Sequence, residues 1–365
     1  MRDEHCNRLV VSTAETSGDR LLAELIGGLR ARGAQVPIVG NVGPLAMAAG
    51  ATLLPGIVPV PPAMGLAEVF SSIQTHRRNR TTMLAALQPG DTLLTVDSPD
   101  LHLGLAKAAK RSGYRTIGYV SPQLWAWRPG RAPGIATAFD LLLCLFPFEP
   151  ALYAGTGLDA RWVGHPAVDR VRPSTRESGV IALFPGSRPA ELRRHLDVYL
   201  RTARLTGARE ILIAAAPGLD LPATPGVPVV SSAEALARAD RALSKSGTVT
   251  LELAMAGIPT VVAHRVSPLT YWLGRALVRG VRHIALPNVL LHREAVAEFV
   301  QHLDPTVLAA ALARAATPPT EALAAILGPK GVADRAAAAI LGLYHETTGY
   351  PSPEIAFRSR RYLLF

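Results

Sequence analysis

Two aspartates follow directly on a short apolar run and are the first candidates for acid–base chemistry. The run 93–96 is typical of a buried strand, and Asp97 and Asp100 come immediately after it. Ligands of open α/β sheets bind at the carboxyl ends of the strands, where a carboxylate can accept a proton from a substrate hydroxyl. Asp97 fits this role best, because Asp100 opens the following helix, where a carboxylate normally caps free N–H groups. Glu15 and His165 are the next candidates for a base.

A strand, a tight loop and a helix are predicted over residues 180–196. The loop at Ser187 offers free backbone N–H groups, and Arg188 adds a planar guanidinium, so this site suits a phosphate. Ser187 is expected to cap the helix, and Pro189 suits its first position. An ordinary capped turn with a solvated arginine explains the same residues about equally well.

A second loop of the same kind, Ser246-Gly247-Thr248, opens another helix and can also offer N–H groups to a phosphate. Glu252 lies one turn further on the same helical face, where a carboxylate can accept hydrogen bonds from a ribose. The alternative for Glu252 is a half-buried residue paired with an arginine. No G-x-G-x-x-G follows the first strand, so diphosphate and ribose together favour a nucleotide-sugar over a dinucleotide.

Alternating strands and helices must position these residues. The order is typical of doubly wound parallel sheets and predicts an α/β protein with two Rossmann-like doubly wound domains facing a cleft. We expect an N-terminal domain at 1–168 and a C-terminal domain at 179–345 that holds the nucleotide-sugar site, joined by a polar linker near 166–178. The aromatic and arginine-rich segment 346–365 is expected to pack back on the first domain.

Composition limits the classes of protein and of partner. The 365 residues carry a formal charge of +10 and only 5% aromatic side chains. The charge favours anionic partners such as nucleic acid, lipid headgroups or a phosphorylated substrate, although genome composition explains it equally well. A basic nucleic-acid-binding protein is disfavoured because no such motif with interleaved aromatics is found. Cys6 and Cys144 have no ligand-like spacing, and neither a signal peptide nor a membrane-spanning run is recognised, so a cytoplasmic protein is expected.

One amphipathic stretch is a candidate for contact with a membrane. Residues 64–87 are expected to form one or two helices with Arg77, Arg78 and Arg80 on the polar side. An apolar face beside an arginine cluster can lie on an anionic membrane surface. A helix packed on its own sheet with a solvated basic face is the commoner alternative.

Short blocks of sequence occur in a characteristic order and spacing over nearly the whole chain. The blocks are Glu15-Thr-Ser-Gly-Asp19, Met64-Gly-Leu-Ala-Glu-Val69, Asp97-Ser-Pro-Asp100, Tyr119-Val-Ser-Pro-Gln-Leu-Trp-Ala-Trp-Arg128, Phe146-Pro-Phe-Glu149, Gly164-His-Pro166, Pro185-Gly-Ser-Arg188 with Glu191, Ser246-Gly-Thr248 with Leu251-Glu252, and Leu286-Pro-Asn288 with Arg293-Glu294. Each block alone is weak evidence for a protein family, but their order and spacing together are specific. The sequence resembles the lipid-A-disaccharide synthases, a family of inverting glycosyltransferases of the GT-B type.

The resemblance implies a reaction and a set of substrates. UDP-2,3-diacylglucosamine would be joined to 2,3-diacylglucosamine 1-phosphate (lipid X), giving the β-1,6 lipid A disaccharide 1-phosphate and UDP. It also implies that neither a metal ion nor a cofactor takes part. The protein would act at the inner face of the bacterial inner membrane as a peripheral protein, and whether it forms a homodimer is left open. The alternative is a related GT-B nucleotide-sugar transferase or epimerase with a different acceptor.

The resemblance also implies roles for single residues, with Asp97 as the catalytic base. The residues expected to bind the UDP-sugar are Ser187, Arg188, Ser246, Gly247, Thr248, Glu252 and Asn288. The residues expected on the acceptor side are Glu15, Ser17, Gly18, Met64 and Trp127. Trp125 and Trp127 have the alternative of being plain core aromatics.

Overall fold

The structure, a computed structural model, describes residues 7–58, 66–124, 129–215, 221, 224–267 and 283–342, with the backbone alone for 66–73, 100 and 129. This described chain divides into two compact units, one of residues 7–166 and 327–342 and one of residues 167–326. Met64, Trp125, Trp127 and segment 346–365 lie outside the described residues, so what the sequence implies for them stays a prediction.

Seven strands form the sheet of the first unit. They are β1 (Leu9–Thr13), β2 (Ile38–Asn41), β3 (Thr52–Leu53), β4 (Thr92–Val96), β5 (Arg115–Tyr119), β6 (Leu141–Cys144) and β7 (Asp159–Trp162). All neighbours pair in parallel, in the order β3-β2-β1-β4-β5-β6-β7. The order reverses direction between β1 and β4, which is the position where ligands bind in sheets of this class.

Helices pack on this sheet because its central strands are apolar throughout. All five residues of β1 and of β4 are buried, as expected for parallel strands that are covered on both faces. Five helices of the first unit are α1 (Thr16–Ala31), α2 (Pro44–Ala48), α3 (Leu66–Ala86), α4 (Pro99–Arg111) and α5 (Ala132–Ala136). A sixth helix, Val332–Ile340, comes from the end of the described chain. Apolar side chains of β1 and β4 pack with Leu105 and Ile135 in one core cluster. Within the described residues, no helix combines the length and apolar character needed to span a lipid bilayer.

The second unit repeats this plan with six strands. They are β8 (Val180–Phe184), β9 (Glu210–Ala214), β10 (Val229–Val230), β11 (Arg241–Ser244), β12 (Thr260–His264) and β13 (Ala297–Val300). Pairing is again parallel, in the order β10-β9-β8-β11-β12-β13, so the reversal lies between β8 and β11. The predicted α/β class with two doubly wound units is confirmed.

Seven further helices complete the described chain. Six belong to the second unit and are α6 (Ala167–Arg170), α7 (Pro189–Leu205), α8 (Ser232–Arg238), α9 (Val249–Met255), α10 (Leu286–Leu291) and α11 (Pro305–Arg314). The seventh, α12 (Thr320–Leu327), ends where the chain returns to the first unit. Two strands of this unit, β11 and β13, are not predicted from the sequence. The first begins with an arginine, and the second is a half-exposed edge strand, so neither forms an apolar run.

The segment predicted as a polar linker packs against the second unit. Its first residues form α6, and the hydroxyl groups of Ser174 and Thr175 then donate to the carbonyl oxygen of Ala237 at 3.1 and 2.7 Å. Glu177 pairs with Arg238 at 2.8 Å. Local sequence shows neither partner, because both lie about sixty residues away.

The chain returns to the first unit at Leu327, earlier than the sequence-based boundary at residue 346. The returning helix α13 (Val332–Ile340) packs on α1, where the lack of a side chain at Gly28 lets the two backbones approach. Arg32 and Asp334 join the two helices with two parallel hydrogen bonds of 2.7 Å. Local sequence does not show this contact, because Arg32 and Asp334 are 302 residues apart in the chain.

Two neighbouring glycines of α1 test this packing. A Cβ atom at Gly28 would lie 2.6 Å from the carbonyl oxygen of Ala333, whereas one at Gly27 would meet nothing within 4 Å. Gly28→Ala is therefore expected to destabilise the protein by about 1–3 kcal/mol, the usual cost of overpacking. Gly27→Ala should stabilise it by up to about 1 kcal/mol, because alanine favours helix. Thermal unfolding measures both changes, and equal melting temperatures for the two variants would contradict the close approach.

Candidate active site

Asp97 lies at the carboxyl end of β4, beside the point where the first sheet reverses. Its backbone has φ 59° and that of Ser98 has φ 46°, both in the left-handed region that non-glycine residues seldom adopt. The carboxylate accepts from the N–H of Ser98 at 2.7 Å through Oδ1 and from the hydroxyl of Ser17 at 2.9 Å through Oδ2. The side chain is half-buried, so these bonds fix its direction while part of it stays accessible.

The loop after β1 is the partner of Asp97. Ser17 is exposed, and Gly18 packs so closely on β4 that a Cβ atom there would lie 3.0 Å from the carbonyl oxygen of Val96. Glu15 is exposed and precedes α1 as its N-cap residue. The structure therefore brings Ser17 and Gly18 to Asp97.

His102 supports Asp97 from behind and is not predicted from the sequence as part of the site. Its Nδ1 lies 2.8 Å from the carbonyl oxygen of Asp97, and the ring is buried. Burial lowers the pKa of His102, so the ring is neutral near pH 7 and Nδ1 donates its proton to that carbonyl. This bond helps to hold the left-handed backbone at Asp97, which by itself is unfavourable.

A pocket of about 220 Å³ opens beside Asp97 within the first unit. Apolar side chains form most of its wall, with Arg131 and the carboxylate of Asp97 as the charged groups; the lining residues include Leu103, Val120, Leu124 and Ile135. Val120 has φ 83°, a strained value for a β-branched residue. An apolar wall with few polar groups suits part of an amphiphilic ligand.

The loop after β8 has the predicted strand-loop-helix form, but its cap differs from the prediction. Arg188, and not Ser187, is the N-cap residue of α7, because Pro189 takes the first helical position. Ser187 instead donates its backbone N–H to Oε2 of Glu191 at 3.0 Å. Gly186 has φ 128°, and any side chain there would collide with Glu191. Ser187 and Arg188 are both exposed at this edge of the sheet.

Lys245 is the residue of this region that sequence analysis missed. It follows β11 directly, and its Nζ lies 2.9 Å from Oε1 of Glu191. Burial by itself would raise the pKa of Glu191, but the hydrogen bond and charge of Lys245, helped by Ser187 and Arg188, hold that pKa below its usual value. The Glu191 carboxylate is therefore ionised at neutral pH. Recognition of β11 as a strand would have drawn attention to a lysine at its carboxyl end.

The loop Ser246-Gly247-Thr248 lies next to Lys245 at the start of α9. Ser246 donates its hydroxyl proton to the carbonyl oxygen of Ile284 at 2.6 Å, which fixes the loop. In the part of the chain that the structure describes, the N–H groups of Gly247 and Thr248 have no protein acceptor. They can donate to an anion. Glu252 is half-buried in α9.

Asn288 lies inside the protein, whereas a residue that binds a ligand needs accessible polar atoms. It is fully buried, and its amide nitrogen donates at 2.7 Å to the carbonyl of Val296 and to Glu298. Its amide oxygen accepts from the N–H groups of Ala295 and Val296 at 2.6 and 2.9 Å. The amide is thereby fully used inside the protein. Asn288 positions the segment that holds Ser246, and a direct contact with the nucleotide is not available to it in this conformation.

Two histidines lie behind the Glu191–Lys245 pair. His195 is fully buried, with Nδ1 2.8 Å from the carbonyl of Glu191 and Nε2 accepting from the N–H of Arg265 at 2.9 Å. The rings of His195 and His264 stack with centroids 5.7 Å apart. Burial is the main cause that lowers the pKa of His264 to about 4, and the nearby His195 and Lys245 act in the same direction. Since the pKa of His195 is also lowered, chiefly by burial, both rings are neutral at pH 7.

Two other residues of the sequence blocks, His165 and Glu149, are buried in the first unit. His165, a reserve candidate for the base, is buried and stacks on Phe146 with ring centroids 5.4 Å apart. Glu149 is buried and accepts from the N–H groups of Leu145 and Phe146 at 2.9 and 3.0 Å. Among the described residues, no group of three or more histidine, cysteine, aspartate or glutamate side chains could hold a metal ion.

Comparison with known proteins shows similarity over most of the chain. A family model described as Lipid-A-disaccharide synthetase matches residues 9–209 and 227–316. The chain is 37% identical to a lipid-A-disaccharide synthase of Alkalilimnicola ehrlichii, with 84% of this chain and 88% of the relative covered. It is 38% identical to that of Neisseria meningitidis serogroup C, with 86% and 89% covered.

Solved structures add evidence on the fold. CalG4, the calicheamicin glycosyltransferase, superposes with a TM-score of 0.57 over 94% of this chain and 100% of its own, at 15% identity. At that identity the likeness concerns the fold alone. Since the family model and both relatives span most of the sequence, the chain belongs to the lipid-A-disaccharide synthase family of glycosyltransferases.

Proposed function

We propose that this protein joins UDP-2,3-diacylglucosamine to 2,3-diacylglucosamine 1-phosphate, giving a β-1,6-linked disaccharide 1-phosphate and UDP. Membership of the family supports the reaction. The observation that carries the mechanism is the half-buried Asp97 carboxylate, held by Ser17 and Ser98 at the reversal point of the first sheet. Ligands bind outside the carboxyl ends of strands at such a point.

In the proposed reaction Asp97 is the general base. Its carboxylate takes the proton from the 6-hydroxyl of the acceptor while that oxygen attacks the anomeric carbon of the donor sugar. The new bond joins the oxygen to the anomeric carbon, and the bond from that carbon to the diphosphate breaks, releasing UDP. Attack from the face opposite the leaving group inverts the anomeric centre. The neighbouring apolar pocket suits the fatty part of a diacylated acceptor.

The second unit is proposed to bind the donor. Arg188 and the N–H groups of Gly247 and Thr248 offer positive charge and donors to the diphosphate, whose negative charge grows as the bond breaks. These groups can stabilise UDP without a metal ion, and a metal-independent transfer is part of the proposal. Glu252 is proposed to accept hydrogen bonds from the ribose.

Replacement of Asp97 tests the base. Asp97→Asn keeps the shape and can still accept from Ser17, but it cannot take the proton. Transfer is expected to fall by about 10²–10⁴-fold, the usual contribution of a general base, with little change in UDP affinity. Asp100→Asn is the control, because Asp100 is the second residue of α4, where loss of a carboxylate costs only about 0.3–1 kcal/mol through the helix dipole. Near-normal turnover of the Asp97 variant, measured by the mass of the disaccharide product, would assign the base to another residue.

Replacement of Arg188 tests the donor site. Hydrogen bonds to charged groups contribute about 1.5–3 kcal/mol, so Arg188→Ala should weaken UDP binding roughly 10- to 100-fold. Arg201→Ala is a matched control, because Arg201 is an exposed arginine near the other end of the same helix. Calorimetric titration with UDP measures both variants. If they bind UDP alike, Arg188 has no part in the donor site.

Peripheral association with an anionic membrane is a further part of the proposal. Helix α3 carries Arg77, Arg78 and Arg80 exposed, while Asn79 faces inward and bonds the backbone of Val58 at 2.8 and 3.0 Å. The bond fixes which side of the helix meets solvent. An exposed arginine cluster attracts anionic headgroups.

Vesicle sedimentation at two salt concentrations checks this association. Binding to vesicles with anionic lipid should be clear at about 0.1 M salt and weak at about 1 M, where the screening length falls from about 10 to about 3 Å. Neutral vesicles and a variant with Arg77, Arg78 and Arg80 replaced by glutamine are the controls. Binding that does not depend on salt, or no binding to anionic vesicles, would argue against this surface.

A further inference from the structure

An ion pair joins the two loops that are proposed to bind the donor diphosphate. Glu191 belongs to the first turn of α7, after β8, and Lys245 follows β11, on the other side of the sheet reversal. Their charged atoms lie 2.9 Å apart, and their side chains are only 15% and 19% exposed. Since a lysine is usually exposed, a lysine held this far inside needs a specific reason.

Lys245 has hydrogen-bonding capacity to spare. An ammonium group has three N–H donors, and within the described chain Glu191 is its one hydrogen-bond acceptor. A Cβ atom at Gly247 would lie 3.6 Å from both Cε and Nζ of Lys245, so the ammonium group lies against the loop 246–248. The unpaired N–H groups of Gly247 and Thr248 belong to that same loop. Donors from the backbone and from the side chain therefore occur together.

The ion pair of Glu191 and Lys245 also changes the charge that a bound anion would meet. The Glu191 carboxylate bonds the N–H of Ser187, so a negative charge lies inside the loop that is meant to receive an anion. Alone it would repel a phosphate, and the repulsion would be strong because the carboxylate is half-buried. Lys245 cancels that charge. Arg188 adds a second positive side chain at the edge of the sheet.

We propose that Lys245 is a binding residue for the diphosphate of the nucleotide-sugar, donating to a phosphate oxygen while Glu191 holds it in place. The inference rests on the proposed function, since it concerns the same donor site, and it adds a residue that the phosphate-loop motifs do not contain. The site would thus have two cations of different kinds. Arg188 is exposed and reaches the phosphate from outside, and Lys245 lies beneath the loop.

Binding of UDP and of uridine separates a role in phosphate binding from a role in folding. Lys245→Met keeps the length of the side chain and removes the charge, so the dissociation constant for UDP should rise about 10- to 100-fold. Uridine has no phosphate, and its binding, followed by ligand-observed NMR, should stay within a few-fold of wild type. Lys245→Arg keeps the charge and should retain most of the UDP affinity.

The double variant tests the electrostatic part. In Lys245→Met the carboxylate of Glu191 is left unpaired, so adding Glu191→Gln should recover part of the lost UDP affinity. Lys110→Met is the matched control, because Lys110 also pairs with a carboxylate, that of Asp140 at 3.2 Å, but in the first unit. It should bind UDP like wild type.

The outcomes distinguish this inference from the proposed function. Wild type that does not bind UDP would overturn both. Wild type that binds UDP, with Lys245→Met binding it equally well, would overturn the role of Lys245 and leave the function intact. Equal loss of UDP and uridine, or a double variant weaker than Lys245→Met, would show that the lysine only maintains the fold of the loops.

Discussion

Parallel pairing of every strand is the constraint on which both units depend. Because all strands of a sheet run in one direction, each loop from a strand to the next helix opens at the same edge. At the reversal of each sheet two such loops meet, and in each case a carboxylate bridges them. Asp97 reaches across to Ser17 in the first unit, and Glu191 reaches across to Lys245 in the second.

Carboxylates also hold two other loops, through backbone N–H groups. Asp19 is buried and accepts from Gly43, Leu45 and Ala46 at 2.8, 2.9 and 3.3 Å, which anchors the start of α2. Glu298 accepts from Ile284 and Ala285. These side chains satisfy donors that a loop would otherwise leave exposed. At the two reversal points, Asp97 and Glu191 keep a partly accessible side chain. Asp97 is therefore available for chemistry, and Glu191 for charge balance.

The ion pair of Glu191 also links the second unit to pH. The folded-state pKa of Glu191 is depressed below its ordinary value of 4.5. A depressed carboxylate pKa contributes stability above the unfolded-state pKa, and that contribution is lost as the pH falls through the folded-state pKa. Neutral His195 and His264 act in the same direction, because their lowered pKa values make protonation on acidification unfavourable in the folded state.

The sequence by itself determined the class of fold, the strand ends that carry Asp97, Ser187 and Arg188, and the family. These features are local. An apolar run followed by a loop and a helix specifies its own geometry, and the family is recognised from the order of the sequence blocks without any knowledge of tertiary contacts. Tertiary structure decided which groups these loops meet. The partner of Lys245 is 54 residues away, and Asn288 proved buried because residues 295–298 use its amide. The return of the chain at Leu327 likewise depends on a backbone approach at Gly28. Such contacts follow from strand order and register, which no local pattern contains.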